Sequence, residues 1–349
     1  MNKKWLRHSI SVFIILVFGF LAIGSGTQDK AVITEITYDA GTLQNVTRIT
    51  DDKVRKDWVS VSPDGSKLLY CETDSANASV FAEDFKIVLL RNIATAAKTP
   101  LVNDSSYAPV WFDDNNTIVY IAFERGAGRL MKSNIGGGSK TYITRNPIGD
   151  YDANPSIHGK TILCDTNING RRQIVSLSSD GSDVTILGEG EQPSWLPNGK
   201  KFVFIRSVST VRNTQVNAVF EMDIAANQVT QIYADTGDKN RHGMNCASPS
   251  YSHDGEYILF CKGADVQVRA NVTKKALGGF NISRSTVKGE VSRWHLFVIR
   301  SDGGGGASQL TSGNVNVFSP SWGVDNNIYF ISNAGGSNEI WRARLNLVF

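Results

Sequence analysis

The sequence is poor in the residues that carry most protein chemistry. It holds five histidines and four cysteines in 349 residues. No Gly-x-Ser-x-Gly stretch offers a nucleophile elbow, and no His-Glu-x-x-His pair offers a helical zinc site. That excludes the commonest hydrolase and metalloprotease arrangements. Net charge is also lacking. Thirty-six Lys and Arg against 33 Asp and Glu leave +3, and Lys3, Lys4 and Arg7 supply all of it. The chain after residue 26 therefore sums to about zero, which removes the electrostatic case for binding nucleic acid. Apart from Ile10–Ile23, 14 residues long, there is no extended apolar run, and a membrane span needs about 20.

That run follows Lys3, Lys4 and Arg7 and ends at Ala22-Ile23-Gly24, a small-residue cleavage pattern near Ser25. Residues 1–26 read as an export signal, with an uncleaved anchor as the alternative. No cysteine stands at the cleavage site, so lipidation there is not expected. The mature chain, 27–349, is expected in the periplasm or outside the cell, with no membrane span after cleavage.

What is present is a repeated hairpin. Gln192-Pro193-Ser194-Trp195-Leu196-Pro197-Asn198-Gly199 leads into the apolar run Phe202–Ile205. Pro197 presets the first turn position, and Asn198-Gly199 accept the backbone that β-branched residues refuse. The pattern recurs at Val59–Gly65, Pro109–Asp114, Pro155–Gly159, Pro249–Gly255 and Pro320–Asp325. A second hairpin follows most copies, as in Gln173–Leu187 around Ser179-Asp180-Gly181 and Leu296–Thr311 around Ser301-Asp302-Gly303. Units of roughly 40–50 residues with four short strands are the signature of a β-propeller blade. The chain is therefore expected to be an all-β, six-bladed propeller. The C-terminus supplies only the third strand of the last blade, Glu339–Leu345, while Asn45–Thr50 matches a fourth strand. The N-terminal strand should close the ring and remove two sheet edges. Ile33–Tyr38 reads as a further strand of unassigned position.

The Pro-x-Trp-Ser-Pro-Asp-Gly-like hairpins, Ser-Asp-Gly turns and closing Ile/Leu-Thr strands resemble TolB-type propeller repeats, which also occur in the propellers of prolyl-oligopeptidase-like peptidases. The resemblance covers nearly everything after residue 45. Residues 27–45 are too few for the domain that precedes the propeller in that family, and no peptidase domain is expected beside the propeller. The resemblance implies a docking scaffold at the cell envelope.

Candidate sites are weighed on the repeat. Asp165–Gly170 mimics the start of a calcium loop but lacks the closing Glu, and the alignment reads it as a polar hairpin turn. His242 and His295 are the histidines left outside turns and signal, and no cofactor or metal is expected. Symmetry about the His253-Asp254 turn sets Cys246 against Cys261, leaving either a disulfide or two thiols. In such a blade the first residues of strand A ring the channel mouth, giving Asp57, Tyr107, Asp152, Glu191, Ala247 and Phe318 as binding candidates. Between strands B and C of blade five lies a long insertion. From Lys262 to Arg293 seven cations face Asp265 and Glu290, a net of +5. It is expected to be a loop on the mouth face, either a lid or a basic arm presenting Lys274, Lys275, Arg284 and Lys288 to an acidic partner. The expected function is a monomeric, non-catalytic scaffold for a protein or envelope component. The alternatives are a polysaccharide lyase or hydrolase and a small-ligand binder.

Overall fold

The structure, a computed structural model, describes residues 36–38, 42–73, 86–124, 127–136, 138, 140–145, 148–149, 153–275 and 281–346. All belong to the second of two compact units, Met1–Val32 and Ile33–Phe349. The export-signal reading of residues 1–26 lies outside the described residues. Among the described residues no helix is long and apolar enough to cross a membrane.

Strands β1 (Thr37–Tyr38) and β2 (Leu43–Arg48) precede the first complete blade. Blade one is β3 (Lys56–Val61), β4 (Lys67–Thr73), β5 (Lys86–Asn92) and β6 (Lys98–Val102). Blade two is β7 (Ser106–Trp111), β8 (Thr117–Glu124), β9 (Ala127–Asn134) and β10 (Thr141–Tyr142). Blade three is β11 (Ala153–His158), β12 (Thr161–Ile168), β13 (Arg171–Ser178) and β14 (Thr185–Glu189). Blade four is β15 (Glu191–Trp195), β16 (Lys201–Ser209), β17 (Gln215–Asp223) and β18 (Gln228–Tyr233). Blade five is β19 (Asn245–Tyr251), β20 (Tyr257–Lys275), β21 (Asn281–Arg300) and β22 (Ser308–Gln309), after which comes β23 (Thr311–Ser312). Blade six is β24 (Val317–Trp322), β25 (Asn327–Ser332) and β26 (Glu339–Leu345).

The missing strand of blade six is β2, which pairs antiparallel with β26 through Leu43↔Leu345, Gln44↔Arg344, Thr47↔Arg342 and Arg48↔Trp341. The chain thus forms six four-stranded antiparallel sheets, and the expected closure by an N-terminal strand holds. β1 pairs with β23, Thr37↔Ser312 and Tyr38↔Thr311, which locates the strand that the sequence leaves unassigned.

The middle strands explain the continuous apolar runs. Each blade is covered on both faces, so both sides of strand B must be apolar. Leu69 and Cys71 pack towards blade two, while Leu68 and Tyr70 pack towards blade six. Six apolar clusters fill the six seams, one between each neighbouring pair of blades. Strands A touch in sequence, β3 to β7, β11, β15, β19, β24 and back to β3. The last seam carries polar ties as well. Val61 N donates to Ser321 Oγ (3.2 Å), Lys56 N to Asn338 O (3.0 Å) and the Arg91 guanidinium to Ile49 O (3.0 Å).

Two expectations need correction. The insertion of blade five is not a loop. β20 and β21 run on past the blade as a two-stranded ribbon, paired continuously from Tyr257↔Arg300 to Lys274↔Ser283, with one register shift before Lys275↔Asn281. Cys246 and Cys261 do not face one another. Cys246 opposes Lys262, and Ala247 opposes Cys261. One residue of offset puts the two thiols on opposite faces of the sheet. Cys246 packs in the seam with blade four and Cys261 in the seam with blade six, and both are free. Burial pushes the Cys246 thiol up to about 12. The offset comes from a bulge between Ala247 and Ser250, which symmetry about the turn cannot register.

Candidate functional site at the channel mouth

That bulge occurs in every blade. Strand A shifts register after Asp57, Tyr107, Ala153, Glu191, Ala247 and Phe318. The next residue in each case, Trp58, Ala108, Asn154, Gln192, Ser248 or Ser319, has φ between 48° and 57°. A non-glycine residue in this region is strained, and six in equivalent positions mean that the scaffold imposes it. Each bulge shifts the ladder by one residue beside the mouth and re-aims a side chain. Two of them reach the next blade: Trp58 Nε1 donates to Pro109 O (3.1 Å), and Gln192 Oε1 accepts from Ser248 N (2.7 Å).

The expected ring residues come to the same end of adjacent strands but are not a ring of free polar groups. Asp57 is buried and pairs with Arg55 (3.2 Å). Tyr107 stands edge-on to Trp58, ring centroids 5.7 Å apart. Ala247 is buried, and Phe318 packs against two of the seam clusters. Asp152 lies outside the described residues, and the register puts Ala153 at the ring position of blade three. Glu191 accepts from Asn217 Nδ2 (3.2 Å). Burial raises its carboxyl above the usual range, against the pull of Arg172 and the Asn217 hydrogen bond.

The structure adds a residue that sequence reasoning passed over. Asp165 is fully buried, accepts from Asn154 Nδ2 (2.8 Å) and pairs with Arg172. Its register partner on strand A is Ala153; the equivalent positions in the other blades are Cys71, Ile121, Ile205, Cys261 and Ile331. A carboxylate in a column of apolar residues was the available signal. Asn169-Gly170 forms the two-residue turn of the β12–β13 hairpin, both with positive φ, as the hairpin reading expects.

Burial drives the Asp165 carboxyl up to about 7, against Arg172 and Asn154 and aided by the charge of Glu191. The unfolded value is about 4, so between the two the folded state holds the extra proton. This group's contribution to stability is complete below about pH 4 and lost as pH rises through about 7. Urea unfolding across that range is expected to show the loss in the wild type and a flatter profile in Asp165→Asn. Equal slopes in both proteins would refute the assignment.

Two further groups of charges described on this face are paired among themselves. At the seam of blades six and one, Lys56 is wholly buried. Its ammonium donates to Val54 O (2.8 Å) and meets Glu339 (3.3 Å), Glu72 (3.4 Å) and Asp52. Lys98 joins Glu72 (2.6 Å), and Glu339 accepts from Thr50 Oγ1 (2.5 Å) and Lys53 N (2.9 Å). Between blades four and five, Asp235 pairs with Arg241 (2.6 Å) and Lys262 (3.2 Å), and Lys262 Nζ sits 4.3 Å from the Phe297 ring centre. These carboxylates have partners within the blades and do not call on the ribbon as a lid.

The ribbon leaves from this same face, because Gly263, where β20 departs from the blade, pairs with Asn245 at the start of β19. Lys274 and Lys275 stand on β20, with Arg284 and Lys288 on β21. Arg269 opposes Lys288, and Thr273 opposes Arg284. His295 is on β21 opposite Lys262, and burial, with Arg293 nearby, lowers its imidazole. Among the described residues no three His, Cys, Asp or Glu side chains group to hold a metal ion.

No family model and no curated protein matches the chain. Solved structures do share its fold. A protein assigned as a TolB from Agrobacterium tumefaciens superposes with a TM-score of 0.55 at 14% identity, over 87% of this chain and 97% of that one. TolB from Acinetobacter baumannii gives 0.53 at 14% identity, over 81% of this chain and 64% of that one, so the chain spans less than two thirds of that protein. An oligogalacturonate lyase from Vibrio parahaemolyticus gives 0.51 at 13% identity, over 89% and 97%. At these identities the likeness is one of fold, a TolB-like six-bladed propeller.

Proposed function

We propose that this chain is an exported, non-catalytic scaffold that docks an acidic protein of the cell envelope on its channel-mouth face. The observation that carries the reading is the basic ribbon. It rises from a face whose described carboxylates already have partners within the blades. The region 262–293 is +5 while the rest of the mature chain is about −5. Such a patch steers association and makes binding fall with salt.

The test is charge reversal. Lys274, Lys275, Arg284 and Lys288 changed together to Glu should leave the melting temperature nearly unchanged. A photo-crosslinker at Asn271 should capture a partner in the wild type and lose it in the variant, with capture weakening as salt rises. Undiminished, salt-insensitive capture by the variant would sink the reading. The shared fold of the lyase sets the competing reading. Oligogalacturonate incubated with the protein is expected to give no product, and turnover would transfer the assignment to an enzyme.

A further inference from the structure

Beyond the blade neither edge of the ribbon pairs with another strand among the described residues. Blade five uses β19 and β22 to cover its inner pair, but β19 reaches only Gly263 and β22 covers only Phe297 and Val298. From Ala264 to Lys275 the pairing partners of β20 all lie in β21. Two strands alone are marginal in water, and a third normally completes such a sheet.

The direction of the backbone groups can be followed from the blade outward. Leu296 O accepts from Leu310 N (2.8 Å), Leu296 N donates to Thr311 Oγ1 (2.9 Å) and Trp294 N donates to Asn316 Oδ1 (3.1 Å). Both residues turn their main-chain groups away from β20. In an antiparallel ladder this direction alternates, and the register is unbroken from Trp294 to Ser283. Ser292, Glu290, Lys288, Thr286 and Arg284 therefore present N–H and C=O to the outer edge of β21. Their opposites, Asp265, Gln267, Arg269, Asn271 and Thr273, do so on β20. The remaining pairs, among them Val266↔Val291 and Ala270↔Val287, spend their hydrogen bonds on each other.

A bare edge of this length invites pairing with a second copy, and edge cations are one way proteins prevent it. Two ribbons of +5 repel. The same charge accepts a strand carrying carboxylates. We infer that an outer edge of the β20–β21 ribbon takes up an extended acidic segment of the partner as an added strand, through main-chain hydrogen bonds. This rests on the proposed docking role of the ribbon and names the mode of recognition.

The test uses two synthetic twelve-residue peptides of alternating Glu and Val and of equal charge, one plain (the Glu–Val peptide) and the other N-methylated at four consecutive residues, which removes donors from both of its edges. Binding is read by fluorescence anisotropy and by amide hydrogen exchange of the ribbon. The Glu–Val peptide is expected to bind the wild type and slow exchange at the outward amides. The N-methylated peptide should bind at least about tenfold more weakly, the loss expected when a few hydrogen bonds go unmade. In the protein, Asn271→Pro and Thr286→Pro each remove one outward N–H and no ladder bond. One of them should lose the peptide and so identify the edge, while Asn271→Ala and Thr286→Ala keep it. Equal binding of the two peptides overturns strand addition and leaves electrostatic docking. Retention by both proline variants, no binding by the wild type, or a concentration-dependent dimer of the wild type overturns it too. The charge-reversed variant separates the layers, since its undiminished binding counts against the docking role itself.

Discussion

A protein lacking residues 27–48 is expected to lose its cooperative thermal transition and to aggregate on size-exclusion chromatography. The deletion removes β2, and with it Leu43, which is fully buried, and the ladder from Leu43↔Leu345 to Arg48↔Trp341. A buried leucine contributes about 1.5–3 kcal/mol and each ladder hydrogen bond about 0.5–1.5 kcal/mol. Together these approach the roughly 5–15 kcal/mol that holds a typical domain folded. The loss also bares the edge of β26, a template for pairing between molecules. A monomeric truncation with an unchanged melting temperature would refute closure by this strand. Adding a synthetic peptide of residues 42–50 should restore the transition in part.

The second large effect is expected at Lys56. Its ammonium lies between Glu339 and Glu72 at the seam where the ring closes, with no exposed surface. Replacing it by Met removes the cation and leaves two buried carboxylates facing each other. Breaking a buried pair in this way costs about 3–5 kcal/mol. At roughly 2 °C per kcal/mol for a chain of this size, Lys56→Met should melt about 6–10 °C lower. Neutralising the partners as well should recover most of the loss, because a buried cluster is often no more stable than a neutral replacement of similar volume. Lys56→Met/Glu72→Gln/Glu339→Gln is therefore expected near the wild type. A single variant as stable as the wild type, or a triple variant worse than the single, would show that these charges do not hold the seam.

The parts of the fold that were legible in the sequence are those written in local chemistry. Pro197-Asn198-Gly199 specifies its turn, and Phe202–Ile205 can only be a strand covered on both faces, so the blades and the closing strand could be read directly. Register could not. The bulge at Ser248 shifts the pairing by one residue, enough to move Cys246 and Cys261 to different seams. Nor does length distinguish a loop from a ribbon. Val266, Val268, Ala270 and Val272 alternate with polar residues, which is a strand period, although the length and charge of the insertion suit a loop equally well. Of the candidate site, the face was legible and its chemistry was not. Asp57 and Glu191 look like mouth carboxylates in the sequence, but Arg55 and Asn217 already engage them. Asp165 was hidden because it sits in a segment that resembles a turn.

The pairing of β2 with β26 also sets an order in time. The chain makes the fourth strand of its last blade first and the strand beside it last, with about 300 residues between Leu43 and Leu345. Blades one to five can each form from neighbouring hairpins as they emerge. Blade six cannot form until the final residues are present. Until then β2 stays without its sheet and the seam around Lys56 stays open. The same arrangement leaves the two ends of the propeller side by side, with Asn346 N donating to Thr42 O (2.8 Å). A circular permutant joined there and opened between two other blades would keep every seam and lose this delay.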